Sequence, residues 1–372
     1  MIIRVILTQY NVPIFNQSEK VFLMQNHLSD YRSDTVTNPS KAMRRAMSES
    51  EVGDDDYRDD PTVMILEEKV ASLFNKPFAL FLPSGTQSNL IAILTHCQRG
   101  EEIITGKGYH VHAWEGGGAS ALGGVIVNPL TSDEMGEINQ DEFVLSIKKG
   151  SGHEPTTRLL SLENTYCGMV QSMRTLENLT GIARKANVST HLDGARLANA
   201  VIKTGNSFAS YGRLFDTISL CLSKGLGAPV GSVLVGGPDF IERARRQRKQ
   251  LGGGMRQSGI LAAAGLYALE NNLNRLNLDH QNAGELAQKL SENSIFQVRH
   301  KLIHTNIVYA DLEQDKAASM HAHLEDNQIK VNSPEPVVVD GKIWSRFRFV
   351  THLDIHDKDI HRLVECCSTF NG

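Results

Sequence analysis

Between about residues 60 and 235, short apolar runs alternate with amphipathic stretches. "FALFLPSG" (78–85), "EEIITG" (101–106), "VIVNPL" (125–130), "TRLLSLEN" (157–164), "STHLDG" (189–194), "DTISLCLSKG" (216–225) and "GSVLVGG" (231–237) are apolar and partly β-branched, and several end in Gly, Ser, Asp or Asn. Runs of that kind predict buried strands. Between them, "PTVMILEEKVASLFN" (61–75) places Val63, Leu66, Val70, Leu73 and Phe74 at helical spacing, with Pro61 suited to the first turn. "TLENLTGIARKAN" (175–187) reads as a second helix. Near-continuous apolar strands alternating with helices predict an α/β unit whose mostly parallel central sheet is flanked by helices. Such sheets bind ligands at the carboxyl ends of their strands.

After "GGGMRQSG" (252–259) come two helical patterns, to about residue 292, then "HTNIVYADL", "DKAASMHAHLEDN", "RFRFVTHLDI" and a terminal helix "HDKDIHRLVECCSTF". This predicts a smaller C-terminal α+β domain. The chain thus divides into an N-terminal extension (1–28), a large domain (29–275) and a small one (276–372).

Composition narrows the class. The 372 residues are 41% hydrophobic and 22% charged, which suits a globular protein with a sizeable core. A net charge of -4 gives no general attraction to nucleic acid, and the basic run "RARRQRKQ" (243–250) reads as a solvated helix face. No apolar run approaches the roughly 18 to 20 residues that span a bilayer. The opening "MIIRVILTQYNVPIFNQSEKVFLMQ" is broken by Arg4 and Gln9, which makes a poor signal peptide, and Met24 offers an alternative start. Five cysteines without C-x-x-C or zinc spacing read as reduced thiols in a cytoplasmic protein with no metal.

Four strand ends carry residues capable of chemistry. In "LPSGTQSNL", Ser84, Gly85 and Thr86 lie between a strand and a helix, a natural phosphate site that is also an ordinary capped helix start. In "HLDGARLA", Asp193 closes an apolar strand and Arg196 follows; a structural Asp–Arg pair is the plain alternative. Lys224 in "CLSKGLGAPVGS" lies 31 residues later, on the next strand, where a desolvated amine is costly unless it is paired or chemically used. "YHVHAWEGGGAS" supplies His110, His112 and Trp114. A phosphate cradle, a strand-end Asp and a strand-end Lys are the set that holds pyridoxal 5'-phosphate (PLP): lysine attaches it, the carboxylate pairs with its ring nitrogen, the cradle takes its phosphate. Gly225 and Gly227 would leave room for a planar ring, or serve a left-handed turn.

With these residues assembled, the chain resembles the threonine aldolases, PLP enzymes of fold type I related to β-eliminating lyases. The likeness runs from "YRSDTVTNPSKAM" (31–43) through "VGDDDYRDDPTV", "LPSGTQSNL", "LLSLENT", "HLDGARLANA", "CLSKGLGAPVGS" and "GGGMRQSGILAAAGLYAL" to "RFVTHLDI" (348–355). It implies that Lys224 carries the cofactor, Asp193 holds its nitrogen, and Ser84, Gly85 and Thr86 hold its phosphate with Arg256 and a neighbouring subunit's Lys249. His110 would stack on the ring. Arg196, Arg348 and Ser33 would bind the substrate carboxylate, with Trp114 in the cavity wall. Tyr57 would reach an adjacent subunit's site in a dimer or tetramer, and His153 would lie near the substrate side chain.

Arg346 and Arg348 share a strand face, and only the spacing to "VTH" selects Arg348. The implied reaction splits a β-hydroxy-α-amino acid into glycine and an aldehyde, with His110, His153 or a water relayed by either as the base. A β-eliminating lyase, transaminase or racemase of the same fold is the alternative. A nucleotide-binding regulator is disfavoured because no G-x-x-x-x-G-K-[ST] is present. Two departures stand out: "ENTYCG" where the family reads "ENTHNG", and Arg58 where glycine is common.

Overall fold

The computed structural model describes residues 28–292 and 295–370; most of the expected N-terminal extension, with Met24, lies outside them. The strands run β1 (Ser29–Asp30), β2 (Phe78–Leu82), β3 (Glu102–Gly106), β4 (Ile126–Leu130), β5 (Thr157–Glu163), β6 (Ser189–Gly194), β7 (Thr217–Cys221) and β8 (Ser232–Gly236). They continue with β9 (Gln297–Val298), β10 (Ile307–Glu313), β11 (Ile329–Lys330), β12 (Glu335–Val339) and β13 (Lys342–Val350).

The central sheet has the order β2-β8-β7-β6-β5-β3-β4 and is parallel except for β8, which runs against both neighbours. Strands β6, β7 and β8 are buried on both faces nearly throughout; β7 and β8 are mostly apolar, whereas β6 carries Thr190, His191 and Asp193 into the interior. Helices such as Pro61–Leu73 and Met173–Lys185 complete this core through Leu66, Val70, Leu176 and Leu179.

A second core gathers Leu286 and Leu290 with Phe347, Phe349 and Leu363, and it includes Tyr31 from the N-terminal arm. Its sheet, β12-β13-β10-β9, is antiparallel. Along β13 the pleat sends Phe347 and Phe349 into this core and leaves Arg346 and Arg348 on the opposite face. The arm is tied to the same region, because β1 pairs in parallel with β11.

One expected strand is shorter than its apolar run. β7 stops at Cys221, and Lys224 sits in the turn that follows, closed by Gly227 N–H donating to the Lys224 carbonyl at 2.8 Å. The chain must reverse there to lay β8 antiparallel, and Gly227 takes φ +78° to allow it. A Cβ at Gly227 would also strike Leu353 at 2.2 Å, and one at Gly225 would meet Leu276 at 2.8 Å. These glycines therefore admit leucines of the second half of the chain and the turn itself, and the ring-space expectation is corrected accordingly.

Candidate active site

The carboxyl ends of β5 and β6 stand side by side, with Glu163 opposite Asp193 and Ser219 of β7 next in register. The turn after β7 adds Lys224, and the turn after β3 adds His110 at the start of a short helix, His110–Ala113. These elements face the free side of β13 across a cavity of about 520 Å3. Its walls include Ser33 and Thr35 of the arm, His110, Trp114, Glu163, Arg196 and Lys224, and, from the C-terminal sheet, Tyr309, Arg346 and Arg348.

Asp193 is buried, and each of its oxygens accepts one hydrogen bond: Oδ1 from Ala195 N–H at 3.0 Å and Oδ2 from Asn89 Nδ2 at 2.8 Å. His110 Nδ1 lies 2.8 Å from Glu115 Oε1, and this hydrogen bond raises the imidazole pKa. The donor atoms of His110, Glu115 and Asp193 fall within 4.8 Å of one another, each already in a hydrogen bond.

Sequence reasoning quoted Glu163 only in passing, yet it is a wall of the cavity and accepts from His110 N–H at 2.6 Å. Burial, reinforced by the Asp193 charge, pushes its carboxyl up to about 8. The folded chain therefore keeps a proton that the unfolded chain loses near its ordinary 4.5. The stability this contributes is complete below that value and is lost as pH rises towards 8. Thermal melts should show Glu163→Gln gaining on the unsubstituted chain from pH 5 to pH 8; a constant difference would mean that Glu163 ionises normally.

Arg196 meets a partner that sequence did not foresee. Asp34, fully buried in the arm, accepts from Arg196 Nε at 2.8 Å and from Nη2 at 2.7 Å. Burial alone would raise the Asp34 carboxyl, but the Arg196 charge and hydrogen bonds hold it well below the usual range. The side-on fork of Arg196 is thus occupied, and its Nη1 edge is what remains for a ligand.

Arg346 is likewise held bidentately by Asp311, at 2.7 and 2.9 Å, while Arg348 has no ion pair among the described residues. The face that sequence left shared between two arginines is thereby divided into one committed and one available guanidinium.

Other expected site residues lie outside this chain's own cavity. Ser84 caps the helix Gly85–His96, accepting from Gln87 N–H at 3.2 Å, and the first-turn N–H groups of Gly85 and Thr86 have no helical carbonyl to reach. Lys249 pairs with Asp56 at 2.5 Å and Arg256 with Asp56 at 2.9 Å, both on the surface. Tyr57 is 80% exposed nearby, and His153 sits in an exposed loop held by Ser151.

The beta-eliminating lyase family model matches residues 30–313. The low specificity L-threonine aldolase of Escherichia coli K12 is 44% identical over 326 residues, covering 88% of this chain and 94% of its own. The low-specificity L-threonine aldolase 1 of Arabidopsis thaliana is 42% identical over 346 residues, covering 91% and 94%. The chain belongs to this threonine aldolase family. The solved threonine aldolase of Leishmania major shares the fold, with TM-score 0.78 at 22% identity over 91% of this chain and 98% of that one.

Against the threonine aldolase pattern, the two departures acquire a backbone meaning. Arg58 and Cys167 both lie in the left-handed region, at φ +62° and +49°, where glycine and asparagine are at ease. Arg58 bonds Glu242 at 2.5 Å on the surface. Cys167 lines the cavity, whereas the Tyr166 hydroxyl packs over Gly108 and its ring lies 5.6 Å from that of Tyr109.

Proposed function

We propose that the protein is a PLP-dependent aldehyde-lyase that cleaves L-threonine and L-allo-threonine to glycine and acetaldehyde. The observation that carries this reading is the convergence of Lys224, Glu163, His110 and an uncommitted Arg348 on one cavity, backed by the buried strand-end Asp193. The donor set fits the cofactor: an amine outside any ion pair among the described residues, a carboxylate locked as an acceptor, and a helix N-terminus for a phosphate. Lys224 would hold PLP covalently, Asp193 its ring nitrogen, Ser84, Gly85 and Thr86 its phosphate, and His110 its ring face. When bound, PLP supplies the electron sink for the pair released as Cα–Cβ breaks.

The chain's own groups supply the rest. Arg348 and the Nη1 edge of Arg196 would clamp the substrate carboxylate, with Ser33 alongside. A carboxylate only accepts, so Glu115 keeps the proton on His110 Nδ1 and leaves Nε2 to take the β-hydroxyl proton. A dimer or tetramer with shared sites is supported by the exposed Tyr57 and Lys249, which the family resemblance places at a neighbouring subunit's site and which this chain's own cavity does not use. The same assembly would decide whether His153 approaches a substrate. No helix among the described residues is long and apolar enough to cross a membrane, and all five cysteines are free thiols, which fits a cytoplasmic setting.

Incubation of purified protein with PLP and each threonine isomer should release glycine and acetaldehyde in equal amounts. Release of ammonia and a keto acid would instead identify an eliminating lyase. Arg348→Ala should raise KM for L-threonine by about 10- to 100-fold with the cofactor absorbance unchanged. An unaltered KM would place the carboxylate elsewhere.

A further inference from the structure

Behind the cavity, buried polar groups form one continuous hydrogen-bonded line, of which the mechanism above uses only Asp193 and Glu115. It begins at Asp193 Oδ2, bonded to Asn89 Nδ2, which also donates to Glu115 Oε1 at 2.8 Å. Asn89 Oδ1 lies 3.1 Å from His191 Nε2, and His191 Nδ1 lies 2.9 Å from Thr217 Oγ1. Thr217 Oγ1 is in turn 2.9 Å from His96 Nε2. Asn89, His191, Asp193 and Thr217 are all buried, so these groups have no water to substitute for a lost partner.

The direction of every bond follows from the first. A carboxylate only accepts, so the nitrogen end of Asn89 faces Asp193 and Glu115. Asn89 Oδ1 then accepts, which puts the His191 proton on Nε2 and leaves its Nδ1 as an acceptor. Thr217 must donate to that Nδ1, and His96 Nε2–H must donate to Thr217. Both imidazoles are neutral in this arrangement, in keeping with burial pushing His191 to about 3 and His96 to about 4. One amide thus serves two functional arms: Asp193 directly, and His110 through Glu115.

We infer that His191, acting through Asn89, is a positioning residue that fixes the orientation of the Asn89 amide and thereby holds Asp193 and Glu115 in register for the cofactor. Without the His191 N–H the amide is free to turn its oxygen towards two carboxylates, where it repels both. The inference rests on the PLP reading, since holding the ring nitrogen is the task assigned to Asp193.

Glutamine and asparagine separate this role from mere volume. A glutamine amide nitrogen stands near the place of imidazole Nε2 and can still donate to Asn89, whereas asparagine reaches only as far as Nδ1. Wild type, His191→Gln, His191→Asn and Asn89→Leu would be titrated with PLP, and the pH dependence of the bound cofactor's absorbance and the melting temperature recorded for each. Expected are a Gln variant within about twofold of wild type, and Asn and Leu variants that bind PLP about tenfold more weakly with a displaced absorbance midpoint.

Equal affinity and equal midpoints for the Gln and Asn variants would overturn the inference, as would affinities that merely follow melting temperature. A wild type with no PLP band overturns the cofactor reading and this inference together. A normal wild type with equal Gln and Asn variants overturns the inference alone.

Discussion

Lys224→Ala yields a folded protein that lacks the visible absorbance of covalently held PLP, and its kcat for threonine cleavage falls by at least about a thousandfold. Among the described residues, Lys224 is the one lysine in the cavity wall, so no second amine stands ready there to replace it. The fold tolerates its loss because the side chain is half-buried in a turn and has no ion pair among the described residues. A variant that kept the band after extensive dialysis would remove Lys224 from its role. Absorbance and turnover measured on the same sample decide it.

Asp34→Ala has the largest expected effect on stability. It strands the Arg196 guanidinium, only 12% exposed, without its counter-charge, and removes an acceptor from Asn306 Nδ2. Breaking a buried pair from one side costs about 3 kcal/mol, which in a chain of 372 residues lowers the melting temperature by roughly 4 °C. KM should rise as well, because Arg196 loses the fork that aims it. Asp34→Asn, which keeps the acceptor oxygen, should recover part of the stability. An unchanged melting temperature for Asp34→Ala would show that Arg196 finds solvent or another partner at no cost.

Much of this architecture was legible in the amino-acid order. The seven central strands lie within three or four residues of the predicted runs, because apolar and β-branched stretches bounded by Gly, Ser, Asp or Asn mark strand ends. Asp193 and Lys224 were legible for a related reason: a charged group at the end of an apolar run is anomalous locally. What escaped is what depends on distant pairing. Asp34 and Arg196 are 162 positions apart, and nothing near Asp34 marks it as a counter-charge. His191 reads as one polar residue in "STHLDG" and gains meaning only when Asn89, 102 positions away, is seen against it.

Of the two readings of Gly225 and Gly227, the left-handed turn holds at Gly227, whereas ring space does not, because Leu276 and Leu353 from a later part of the chain fill it. Tyr57, His153, Lys249 and Arg256 face outward, away from this chain's own cavity.

The pairing of Ser29 with Ile329 and of Asp30 with Lys330 has a temporal side. During synthesis the arm leaves the ribosome early, while its partner strand is made 300 positions later. At about 5–20 residues per second that gap is roughly 15–60 s. Throughout it the core that receives Tyr31 is incomplete, because Phe347 and Phe349 are made later still. The central sheet can assemble in that interval, but the cavity wall built from the arm closes only once the last strands emerge. A nascent chain stalled before β11 should therefore expose its arm to protease, and one stalled after β13 should protect it.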